Sequence, residues 1–92
     1  MKSNLRWNRE KNNQLLLDRG LYFELVVEAF DNDAVIRDMK HPQGKRENQR
    51  MILIKVNNYV CAVPIVQDGD VKFLKTMYFS RKFDEVYGDH NG

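Results

Sequence analysis

Residues 49–66 read QRMILIKVNNYVCAVPIV, and the fold turns on them. Met51-Ile52-Leu53-Ile54 is an apolar run suited to a central strand covered on both faces. Asn57-Asn58 is a two-residue turn signal, since asparagine accepts the left-handed backbone that tight hairpins need. Gln49–Val56 and Tyr59–Val66 are therefore predicted to form an antiparallel hairpin. Pro64 lacks a ladder donor, so its strand should be locally exposed or bulged there.

Working outward toward the C-terminus, Asp68-Gly69 signals a second hairpin. Val71 to Lys82 then alternates as one strand: Val71, Phe73, Lys75, Met77, Phe79 and Arg81 face one way, and the residues between them the other. Toward the N-terminus, residues 41–48 (HPQGKREN) are a polar loop, and Ala34–Met39 is a candidate strand before it. Phe23, Val26, Val27 and Phe30 follow i, i+3, i+4, i+7, which predicts a helix over Tyr22–Asp31 with Glu24 and Glu28 toward solvent. A first helix is predicted over Arg9–Arg19, capped by Asn8 and stopped at Gly20, with Leu15, Leu16 and the Lys11 stem inward. Asn4–Trp7 is a short strand before it, and Trp7 and Phe23 are assigned to the core.

The expected class is α+β: a short N-terminal strand and two helices on one face of a four- to five-stranded, mainly antiparallel sheet, the other face partly open. The 92 residues are read as a single domain, with an ordered core of about 4–83 and a tail over 84–92.

No apolar run approaches the roughly 20 residues of a membrane span, and residues 1–9 lack a signal-peptide pattern. The lone Cys61 rules out an internal disulfide, and the expected location is the cytoplasm. One cysteine and two separated histidines make no zinc set, so neither metal nor cofactor is expected. Net charge is +2, yet residues 40–82 carry nine Lys/Arg against three acids, a segment at +6. That is a phosphate-binding footprint, although solvated strand faces would give the same excess.

The order of elements and four short stretches resemble the BrnT-like toxins, a branch of the RelE-like ribonuclease superfamily. The stretches are LRWNREKNNQLLLDRG (5–20), LYFELVVEAFDND (21–33), QRMILIK (49–55) with Arg50, and LKTMYFSRK (74–82) with its Ser-x-Arg-like end. Tyr22 stands where that family has a Ser or Thr to cap the second helix, and Phe83-Asp84-Glu85 is more acidic than the family's closing stretch. The resemblance implies a RelE-like fold and a metal-independent endoribonuclease that stops translation by cutting mRNA. It also implies neutralisation by a DNA-binding antitoxin, a heterotetramer being one assembly, with DNA met only through that partner and no membrane. The other reading is a noncatalytic RNA- or protein-binding module of the same fold.

Such cleavage needs a group to take the ribose 2′ proton, cations for the growing phosphate charge and a donor to the leaving oxygen. Arg50 and Arg81 match family positions and are assigned as phosphate clamps, with Lys75 assisting from the strand face it would share with Arg81. His41, beside the basic loop, is the candidate acid or base. Tyr59 and Tyr78 are candidates to stack on a base or help proton transfer, although such tyrosines more often fill sheet faces with their hydroxyls at the edge. Lys11 and Arg19 lie eight apart, about 80° around the helix, and could reach one rim. Lys45, Arg46 and Lys82 complete the expected RNA contacts.

Overall fold

The hairpin forms as read in a computed structural model that describes residues 4–88. The elements are β1 (Asn4–Trp7), α1 (Arg9–Arg19), α2 (Glu24–Asp31), β2 (Arg37–Lys40), β3 (Gln49–Val56), β4 (Tyr59–Asp68), β5 (Val71–Leu74), β6 (Tyr78–Phe79) and α3 (Arg81–Tyr87). Asn57 and Asn58 both take positive φ (52° and 65°), which gives the turn the twist of its flanking strands. β3 pairs along its full length with β4, from Gln49↔Val66 to Val56↔Tyr59.

The sheet runs β1-β5-β4-β3-β2, with β6 also pairing β4. The architecture is α+β, but with six strands and three helices among the described residues, where four to five strands and two helices were expected. The sheet is mixed, because β1 pairs β5 in parallel from Asn4↔Val71 to Trp7↔Leu74. Helix α1 begins and ends as read: the Asn8 side chain accepts from the Lys11 N–H, and Gly20 closes the helix at φ 69°. Helix α2 starts at Glu24, two residues later than expected, and β2 is Arg37–Lys40 where a strand over Ala34–Met39 was foreseen.

Alternation divides the β3–β4 hairpin between two apolar layers. Ile52, Ile54, Cys61, Val63 and Ile65 pack with Leu15, Phe23 and Val26 beneath α1 and α2. Met51, Leu53, Val60 and Ala62 face the other way, against Tyr78, Phe83 and Tyr87. Leu15 is buried, but Leu16 is 52% exposed and does not join the inward face assigned to it. Leu15 alone is buried from α1, and Trp7 and Phe23 fill the adjoining space, their ring centroids 5.7 Å apart.

The largest departure lies after Leu74. The expected single strand over 71–82 breaks: Ile65↔Leu74 belongs to β5, and Cys61↔Phe79 to β6. Three residues, Lys75–Met77, therefore stand opposite two, Val63 and Pro64. This is a bulge, and a one-residue slip exchanges faces for everything beyond it. Its placement follows from Pro64, which offers a carbonyl to the Lys75 N–H (2.9 Å) but has no N–H to return. The Arg19 guanidinium donates to the Met77 carbonyl at 2.6 Å and holds the bulge from α1.

Beyond β6 the chain turns into a helix. The Ser80 side chain accepts from the Phe83 N–H, making it an N-cap, and Asp84 sits in the first turn. Asp84 Oδ1 also accepts from the Val60 N–H at 3.0 Å, which fastens α3 to β4. Residues 84–87 are thus helix and not tail, and the second sheet face is partly covered by α3.

Candidate functional site

The charged and aromatic residues singled out in the sequence separate into two places around the β6–α3 corner. Before the bulge Leu74 shares a face with Ile65; after it Phe79 shares a face with Cys61 and Tyr78 with Ala62. Tyr78 therefore points to the α3 side and Phe79 to the α1/α2 side. Ser80 and Lys82 follow Tyr78, and Arg81 follows Phe79.

On the α3 side a pocket of about 120 Å³ is lined by His41, Gln43, Tyr78, Ser80, Lys82 and Phe83, among others. His41 arrives there because its backbone extends the β2–β3 ladder, its N–H donating to the Gln49 carbonyl at 3.0 Å. The 41–48 loop is held in shape by Gln49, whose Oε1 accepts from the Lys45 and Arg46 backbone N–H groups. The Gln43 N–H donates to His41 Nδ1 at 3.1 Å. The neutral ring then carries its proton on Nε2, which makes Nε2 a donor. His41, Tyr78 and Lys82 were picked separately from the sequence, and the tertiary structure brings them together.

On the opposite side of the corner, Asn57, Tyr59, Phe79 and Arg81 line an open cleft of about 400 Å³. The Tyr59 and Phe79 rings meet edge to face, centroids 5.8 Å apart at 84°.

The remaining candidates are dispersed. Arg50 shares the face of Ile52 and is engaged at the β2 edge, its Nε donating to Asp38 Oδ1 at 2.8 Å and a terminal nitrogen to the Asp38 carbonyl. Four residues of β4 separate the Arg50 partner, Ile65, from the Phe79 partner, Cys61. At about 3.3 Å per residue that is roughly 13 Å along the strands alone. Arg50 and Arg81 therefore start from well-separated points of the sheet. Lys75 and Arg81 do not share a strand face either: Lys75 lies in the bulge with its Nζ 5.0 Å from the Phe73 ring, and Arg81 opens α3. The Arg19 guanidinium is occupied at Met77, while Lys11 sits half-buried on α1. Lys45 and Arg46 are exposed on the loop beyond His41.

Cys61 is fully buried, and burial pushes its thiol up from the ordinary 9.0 to about 12, against the opposing pull of the Tyr78 backbone and the Arg19 charge. It is no nucleophile at neutral pH. Among the described residues no group of three or more His, Cys, Asp or Glu is placed to hold a metal ion. None of their helices is long and apolar enough to cross a membrane.

Sequence reasoning missed Ser80 as a cap, and Asn57 and Phe79 as lining residues. Ser80 followed by Asp84 is a helix-start signal that was masked by the alternation running through it. Phe79 was grouped by a register that the bulge resets. No protein-family model, no curated protein and no solved structure matches the chain.

Proposed function

We propose that this chain is the toxin of a type II toxin–antitoxin pair, a metal-independent endoribonuclease that inhibits translation and is masked by a DNA-binding antitoxin. The observation that carries the reading is the convergence of His41, Tyr78 and Lys82 on one pocket. The ordered set of BrnT-like stretches over residues 5–82 and the +6 charge of residues 40–82 agree with it.

In this reading the bond from the ribose 2′-oxygen to the adjacent phosphorus forms as the bond to the 5′-oxygen breaks. The 2′ proton passes to solvent water, and the leaving 5′-oxygen takes a proton from water. The Lys82 ammonium offsets the charge that grows on the phosphate, and His41 Nε2–H donates to a phosphate oxygen. Tyr78 supplies a hydroxyl at the same pocket. Arg81 and Tyr59 hold RNA on the other side of the corner, and Arg50 stays apart at the β2 edge, bound to Asp38.

A specific feature favours the second reading, an RNA-binding module without cleavage. His41 Nδ1 is already taken by the Gln43 N–H and is not set to accept the 2′ proton. Induced expression with and without the neighbouring gene separates the two. The toxin reading expects growth arrest with RNA cleavage, relieved by the neighbour and abolished by His41→Ala or Lys82→Ala. Full toxicity in both variants would remove the pocket as the centre. Normal growth with intact RNA, at confirmed soluble expression, would leave the binding module. Arg50→Ala and Arg81→Ala, made in parallel, tell whether either arginine serves the reaction.

A further inference from the structure

We propose that the cleft between Asn57, Tyr59, Phe79 and Arg81 is a stacking site for an unpaired nucleobase of single-stranded RNA, an inference that rests on RNA being the ligand of this chain. The cleft exists because of the bulge. With Phe79 paired to Cys61, its ring emerges on the α1/α2 side of the sheet, and no residue of either helix lines the cleft it enters. Phe79 is 40% exposed beside a half-buried Tyr59. An edge-to-face pair does not cover the faces of both rings, so an aromatic surface stays open to a third flat partner.

The surrounding groups select the chemistry of that partner. Arg81 places a planar, permanently charged guanidinium at the cleft, able both to stack and to meet a phosphate. Asn57, at φ 52° in the hairpin turn, brings an exposed amide that can pair with a base edge. No acidic residue lines the cleft, and it belongs to the +6 segment. Two rings, a guanidinium and an amide suit a base flanked by phosphate better than an aliphatic peptide or a lipid chain.

The neighbouring pocket strengthens the case. Along four consecutive residues, Phe79 and Arg81 line the cleft while Ser80 and Lys82 line the His41 pocket. A strand crossing this corner sets a base against Phe79 and the adjoining phosphate at Lys82.

The test is fluorescence anisotropy with a labelled ten-nucleotide 2′-O-methyl RNA, whose blocked 2′-oxygen keeps cleavage out of the reading. An abasic strand with the same number of phosphates is the comparison. Phe79→Ala and Phe79→Leu are expected to weaken binding about 5- to 150-fold, and Phe79→Tyr to preserve it. Phe79→Leu keeps the apolar bulk and removes only the π face, so its unchanged thermal melt with lost affinity isolates stacking. Wild-type affinity in Phe79→Leu, or equal binding of the abasic strand, overturns the proposal. Base-dependent binding by a protein that never cuts RNA upholds it while sinking the nuclease reading. Absence of any binding to single strands overturns both.

Discussion

Asn12→Ala should cost this protein more than an ordinary helix-surface substitution. Helix α2 has no cap of its own: Phe23 occupies the N-cap position and makes no side-chain capping bond, and Tyr22 stands just before it. The duty has passed to α1, where Asn12 Oδ1 accepts from the Phe23 N–H at 2.7 Å. The same amide donates to Glu24 Oε1 at 2.9 Å. The Phe23 bond is partly buried, so removing its acceptor leaves an N–H with restricted access to water. Such an orphan costs about 1–3 kcal/mol, and the exposed Glu24 contact adds a few tenths. A loss of about 2 kcal/mol corresponds to a fall in Tm of roughly 8–16 °C for a domain of this size. Thermal unfolding followed by circular dichroism reads it directly. Asn12→Asp retains the acceptor for Phe23 but sets a carboxylate against Glu24, and should fall between the two. Glu24→Ala alone should move Tm by only a few degrees. If Asn12→Ala melts within about 2 °C of wild type, the cross-helix cap is not holding α2 and the reasoning fails.

Three further outcomes follow from the same structure. Because burial raises the Cys61 thiol from 9.0 to about 12, its protonated form belongs to the folded state; the associated stability is intact below pH 9 and declines as pH rises from 9 toward 12, and Cys61→Ala should flatten that decline in alkaline melts. Ser80→Ala removes the α3 cap and should cost about 1 kcal/mol, with faster amide exchange at Phe83 and Asp84 than in the β3–β4 hairpin; uniform exchange would contradict a separate α3 cap. Asn58→Val puts a β-branched residue at φ 65° and should lower stability by about 1–3 kcal/mol, visible as a lower urea midpoint at unchanged slope.

Part of this molecule could be read from local signals. Asn8, Gly20 and the Asn57-Asn58 turn act through their own backbone within a few residues, so each was placed where it lies. The apolar run Met51–Ile54 likewise required cover on both faces and has it, from α1 and α2 on one side and α3 on the other. Among the candidate residues, His41, Tyr78 and Lys82 were each recognisable by type. That they share a pocket was not, because it depends on which face each residue takes after the bulge.

By itself the sequence determined the strand-and-helix content up to Leu74, the two turns and the charge of the second half. The tertiary structure decided what depends on residues distant in the chain. The parallel pairing of β1 with β5 joins segments more than sixty residues apart, and no local pattern encodes it. The break after Leu74 is set by Pro64 across the ladder and by Arg19 reaching from α1, neither of them part of the segment that breaks. One inserted residue then swapped the faces of Tyr78 and Phe79, since side chains alternate along a strand and a slip of one exchanges them all. That exchange, invisible in the alternation of residues 71–82, is what sends Tyr78 to the His41 pocket and Phe79 to the cleft on the other side.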